Sequence, residues 1–134
     1  MSRISAKTPP ASGEKTPLHG SPLDVPIVHN LYQLYQNLHG LVLKFPKSQR
    51  YSLGANLQNQ LLSALEGVMT AAATNQPTLK SRYLQTVSAK IDLLRVLIRL
   101  AKDCQCISNQ QYLDLESQLH QIGRMLGGWL KSIK

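Results

Sequence analysis

Acidic residues are scarce in this chain: 7 Asp+Glu stand against 15 Lys+Arg, a formal net charge of +8 over 134 residues. So few carboxylates leave little material for paired-carboxylate acid–base chemistry or for a Ca2+ cage. Aromatic residues are equally few, five Tyr, one Trp and one Phe, which argues against an aromatic-rich β-sandwich. Only two cysteines occur, Cys104 and Cys106, one residue apart. A bridge between such close neighbours would be strained, and a zinc site would need further ligands, of which only His120 is near in sequence. The pair therefore reads as free thiols of a reducing cytoplasm. Long apolar runs are missing as well. The longest, Ile91 to Ala101, is broken by Asp92, Arg95 and Arg99, so nothing approaches the roughly 18 apolar residues of a membrane-spanning helix. The N-terminal MSRISAKTPPASGEKTP carries basic residues but no apolar stretch of the kind a secretory signal needs. A soluble chain without a membrane partner is expected.

Catalytic patterns are absent too. There is no Gly-rich phosphate loop, no His-x-x-x-His or Cys-x-x-Cys spacing and no Ser elbow. Asp114 and Glu116 stand two apart on an expected helix, hence on different faces, and do not make an acid–base pair. His19, His29, His39 and His120 are scattered. The expectation is a protein that is not an enzyme and uses neither cofactor nor metal.

What the chain does have is helical period. Residues 1–24 hold Pro9, Pro10, Pro17 and Pro22 among Ser, Thr, Gly and Lys, with few large apolar residues; this composition cannot offset chain entropy and reads as a disordered tail. From residue 25 to 134 the pattern changes. Ile27, Leu31, Leu34, Leu38, Leu41 and Phe45 step by threes and fours, with Pro26 in the first turn and Pro46 as the stop. Ser48 is the expected N-cap of a second helix with Leu57, Leu61, Leu65, Val68 and Ala72 inward, closed by Thr74-Asn75-Gln76-Pro77. Leu84, Val87, Ile91, Leu94, Ile98 and Ala101 form a third stripe, and Tyr112, Leu115, Leu119, Ile122, Leu126 and Trp129 a fourth that opens at Ser108. Long helices with short connections predict an all-α, antiparallel up-down-up-down four-helix bundle.

The third helix has apolar surface beyond one bundle's need. Leu93, Val96, Leu97 and Leu100 cover much of its remaining circumference, and a helix apolar nearly all round is central or pressed against another subunit. A bundle of four has no central helix, so subunit contact is expected. Gly123, Gly127 and Gly128 in the fourth helix fit the same interface, because each costs about 1 kcal/mol of helix propensity relative to Ala and close backbone approach is a reason to keep it; the other reading is that Gly127-Gly128 only frays the helix end.

The positive charge lies mostly in the helical part, since residues 1–24 contribute only Arg3, Lys7 and Lys15 against Glu14 and Asp24. An excess of this sign predicts a polyanionic partner. The candidates for phosphate contact are Lys47 and Arg50 at the first turn, the stripe Arg95, Arg99 and Lys102, and Arg124 with Lys131 on the last helix. Asp92 can reach Arg95, and Asp103 can reach Arg99, at helical spacing; Lys102, Arg124 and Lys131 lack such local partners. His29, Tyr32, Gln36 and His39 share a face of the first helix on which bases could stack, although Tyr and His at a wet helix surface are more often plain amphipathic packing.

Three strings carry a family likeness: FPKSQRYSLG from Phe45 to Gly54, KIDLLR from Lys90 followed by RLAKD to Asp103, and IGRMLGGWLK from Ile122 to Lys131. Over roughly residues 25–134 they resemble the four-helix-bundle family that holds proteins of 23S ribosomal RNA intervening sequences and the accessory variability determinant (Avd) of diversity-generating retroelements. The first string is shared by both branches; the last resembles the Avd branch. The resemblance implies a barrel-like homopentamer. It also implies binding to the retroelement's reverse transcriptase and to nucleic acid, chiefly template-repeat RNA, with DNA left open. The role would be to support mutagenic cDNA synthesis without catalysing it. Two other readings stay open: the ribosomal intervening-sequence branch, and a basic scaffold that meets an acidic protein partner without RNA.

Overall fold

The computed structural model describes residues 21–133. Residues 1–20, most of the expected tail, lie outside them. At its end Ser21 accepts the Leu23 N–H at 3.1 Å and caps a single 3-10 turn, Pro22–Asp24. Four long helices follow: α1 Pro26–Val42, α2 Ala55–Ala72, α3 Pro77–Asp103 and α4 Asn109–Ser132. No strand occurs among the described residues. Proline opens α1 and α3, at a position whose N–H has no intrahelical partner to lose. Ser108 opens α4 as expected. Its Oγ accepts the Gln111 N–H at 3.1 Å while Gln111 Oε1 accepts the Ser108 N–H at 2.8 Å, a reciprocal capping box.

The second helix does not begin as the sequence suggested. Ser48 caps nothing; it lies inside a helical turn, Lys47–Gln49, which follows Pro46 and runs into a π-helical turn, Arg50–Gly54, and then into α2. α1 also stops early, at Val42. Lys44 and Phe45 donate their N–H groups to the Leu41 and Val42 carbonyls, both at 3.0 Å, a tightened exit ahead of a proline that disfavours helix at Phe45.

All six expected positions of α3 are buried, as are Leu115, Leu119, Ile122 and Leu126 of α4, with Tyr112 and Trp129 half-buried at its edges. In α1 the stripe holds for Ile27, Leu31, Leu34 and Leu38, but Val42 is buried where Leu41 was expected. In α2 the inner line is Leu57, Leu61, Ala64, Val68 and Ala71, while Leu65 and Ala72 are only half-buried. The reason is close approach. A Cβ added at Gly67 would lie 2.5 Å from Val87 Cγ2, so α2 turns its small residues toward α3 and leaves Leu65 at the flank. The main packing pairs are α1 with α2, α2 with α3, α3 with α4, and α4 back to α1. These close a ring of four helices around one apolar core. No described helix is long and apolar enough to cross a membrane.

Candidate nucleic-acid interface

The stripe Arg95, Arg99 and Lys102 lies on α3 beside α4, and the structure gives each member a partner. Arg95 does not turn to Asp92. Its Nε donates to Glu116 Oε1 of α4 at 2.9 Å, and the other Glu116 oxygen accepts from Tyr112 Oη at 3.3 Å. Lys102 Nζ sits 5.1 Å from the centroid of the Tyr112 ring, a cation–π distance. Arg99 pairs with Asp103 as its spacing predicted, at 3.3 Å to both carboxylate oxygens. That hydrogen bond, and then the Asp103 charge, hold the Arg99 guanidinium above its ordinary pKa, with Tyr112 adding to both effects. These are the two ion pairs among the described residues. They set two carboxylates against three cations, so a phosphate reaching this stripe competes with anions already bound to Arg95 and Arg99.

The turn between α1 and α2 is different. From Asp24 to Glu66 the chain carries no acidic residue between them, so nothing nearby in sequence offsets Lys44, Lys47 and Arg50. Lys44 and Lys47 are exposed. Arg50 is half-buried and partly committed: one terminal nitrogen donates to the Phe45 carbonyl at 3.3 Å, and its Nε is buried without a partner. Arg50 thus braces the turn while adding charge to it. Arg124 and Lys131 are exposed on α4, and Arg124 borders a shallow groove with Ser117, His120, Gln121 and Met125. The basic residues named from the sequence therefore form three separate surfaces.

The expected subunit-contact positions divide as well. Leu93, Val96 and Leu100 are 41%, 64% and 46% exposed, whereas Leu97 packs against the core. A Cβ at Gly123, Gly127 or Gly128 would meet nothing within 4 Å, so no close approach inside the chain calls for these glycines. The stacking face expected on α1 is partly used up. His39 stacks on Tyr35 with ring centroids 6.2 Å apart and planes within 9°, and Gln58 Nε2 of α2 lies 3.0 Å from His39 Nδ1 and donates to Tyr35 Oη at 3.3 Å. His29, Tyr32 and Gln36 stay exposed. Cys104 and Cys106 are both free, and burial pushes the Cys106 thiol above its ordinary pKa, away from the reactive thiolate. No group of three His, Cys, Asp or Glu side chains suited to a metal comes together among the described residues.

Residues missed from the sequence are Gly54, Gly67, Glu116 and Tyr51. The glycines serve packing: a Cβ at Gly54 would lie 2.7 Å from Val42 Cγ1 and 3.4 Å from Phe45 Cδ2, which seats the π-turn on the end of α1. Glu116 was legible only as a carboxylate without a role. Tyr51, 75% exposed, sits inside the basic string, and the acid-free stretch around it was the available signal.

No curated protein matches the chain. The model of the bAvd-like family matches residues 26–133, the whole four-helix ring that holds the three basic surfaces. The chain belongs to the bAvd-like family.

Proposed function

We propose that this chain is a non-catalytic accessory protein of a diversity-generating retroelement that holds template-repeat RNA on basic surfaces, docks the reverse transcriptase and supports mutagenic cDNA synthesis in the cytoplasm. The observation that carries the proposal is the family match over residues 26–133 joined to exposed cations that stand outside the two ion pairs of the described residues. In this reading Lys47, Arg124 and Lys131 meet phosphates directly. Arg95 and Arg99 contribute in competition with Glu116 and Asp103, Lys102 from beside the Tyr112 ring, and Arg50 from a braced position.

The bundle is taken as antiparallel. Asn30 Nδ2 meets Met125 Sδ and Asn37 Nδ2 meets Gln118 Oε1, both at 3.2 Å, so an advance along α1 is a retreat along α4. The working form is a homo-oligomer, the pentamer that the resemblance implies, with Leu93, Val96, Leu97 and Leu100 of α3 and Gly123, Gly127 and Gly128 of α4 at the contact. Symmetry then repeats each modest basic surface around the assembly.

The test is affinity capture of the chain co-expressed with the reverse transcriptase of its own locus, with and without nuclease, plus an RNA-binding titration against salt. RNA affinity should fall linearly on a log–log scale, at roughly 0.7 of slope per neutralised phosphate of a single strand. Reversing Lys47, Arg124 and Lys131 to Glu should lower both affinity and slope more than removing Arg95 and Arg99. Polymerase capture that survives nuclease, with no RNA binding even at low salt, would select the scaffold reading instead.

A further inference from the structure

We propose that the turn joining α1 to α2 is a stacking site for an unpaired RNA base, with Tyr51 supplying the ring and Lys44 and Lys47 holding the flanking phosphates. The assignment rests on the reading of this protein as RNA-binding and names where a single strand is gripped.

Tyr51 is 75% exposed, more than any other large apolar side chain in the described residues. Tyr32 of α1 is the other exposed tyrosine among the described residues, at 43%; Tyr35 is engaged with His39 and Gln58, Tyr112 with Lys102 and Glu116, while Tyr83 and Trp129 pack against the core. A free aromatic face beside cations is the combination that single-strand binding uses, because the ring accepts any base while the cations track the backbone. Lys47 stands one helical turn before Tyr51, so the two side chains emerge as neighbours on one face. Lys44 lies in the turn just before, and the absence of acidic residues between Asp24 and Glu66 spares a phosphate local repulsion.

The backbone that carries the ring is also held in place. Arg50 is tied to the Phe45 carbonyl at 3.3 Å, Leu53 and Gly54 are buried at the end of the same turn, and Ser52 Oγ donates to the Ser48 and Gln49 carbonyls at 3.4 Å. A π-helical turn inserted in a helix often marks a functional position. Here Tyr51 faces solvent while Leu53 and Gly54, later in the same turn, pack inward. A ring carried on a fixed backbone loses less freedom on binding than one on a mobile segment. An RNA duplex keeps its bases stacked on one another and offers this ring no free face, so the site selects single strands.

The experiment uses the full chain with a single-stranded oligouridine and a blunt RNA duplex. Tyr51→Ala should weaken oligouridine binding by roughly 5- to 100-fold, the range for loss of one base–aromatic stack, leave duplex binding within about twofold and keep the salt slope unchanged. Tyr51→Phe should bind as wild type. Lys44→Ala with Lys47→Ala should lower the slope instead, by about 0.7 per lysine. If Tyr51→Ala binds oligouridine as wild type, or loses both RNAs equally, the stacking site is wrong and the RNA-binding reading stands. The stacking site is equally wrong if the substitution abolishes polymerase capture with RNA affinity intact, since the turn then serves a protein. If wild type binds neither RNA at low salt, the RNA-binding reading itself fails. Thermal melting should not move for a ring so exposed, which separates loss of contact from loss of fold.

Discussion

Gln105 has φ 63, the left-handed region, and is the only described non-glycine residue with positive φ. It occupies the position after the C-cap of α3, where the Cys106 N–H reaches back to the Ala101 carbonyl at 2.8 Å and the Gln105 N–H to the Lys102 carbonyl at 2.9 Å. This is the Schellman arrangement that usually takes glycine, and a side chain there brings Cβ against the carbonyl that follows. Gln105→Gly should therefore stabilise the fold by about 0.5–1 kcal/mol, the relief of strain offset in part by glycine's extra freedom when unfolded. Urea unfolding would check it, as a higher midpoint with an unchanged slope. At this scale the sequence is legible where the cause is local. Ser108 announces its helix because its partner stands three residues on. The partner of Arg95 was illegible for the opposite reason: Asp92 was near in sequence, but Glu116 is nearer in space, and only the register of α3 against α4 decides between them.

Helices were legible as elements wherever large apolar residues alone made the stripe. Every inward position of α3 agrees, and so do the four most buried positions of α4. α2 resisted because its inner line includes Ala64 and Ala71, residues that carry little hydrophobic signal, and because Gly67 brings the two backbones together. Gly67→Ala should destabilise by about 1–3 kcal/mol, since the new methyl overpacks against a stiff β-branched Val87. Adding Val87→Ala should recover part of the methyl's cost, a coupling that a double-mutant cycle measures. Without such coupling the approach of α2 to α3 is not what holds glycine at that position. The π-turn was illegible on other grounds. Pro46 and Ser48 do look like a helix start, yet the segment from Lys47 is already helical, and it is the seating of Gly54 on Val42 and Phe45 that keeps the inserted turn.

Across the whole molecule the charge and the exposed apolar surface are distributed unevenly, and the two patterns meet on α3. Arg95 and Arg99 are neutralised by Glu116 and Asp103, while Leu93, Val96 and Leu100 on the same helix face water. An apolar strip edged by paired charges has the anatomy of a subunit contact, with an apolar centre and a polar rim. The unpaired cations Lys44 and Lys47 belong to another surface, the turn between α1 and α2, and stay free for a polyanion in an assembly built this way. Val96→Asp with Leu100→Asp should then reduce the mass measured by light scattering from that of the assembly to a smaller species. Both side chains are exposed within one chain, so helix content should persist and single-chain stability should shift only slightly, within about 0.5 kcal/mol per surface substitution. RNA affinity should fall with the mass, although neither residue touches phosphate, because separate chains lose the multivalent gain in effective concentration. An unchanged mass would remove α3 from the contact and leave the glycines of α4, open on their outer side, as the place to look for it.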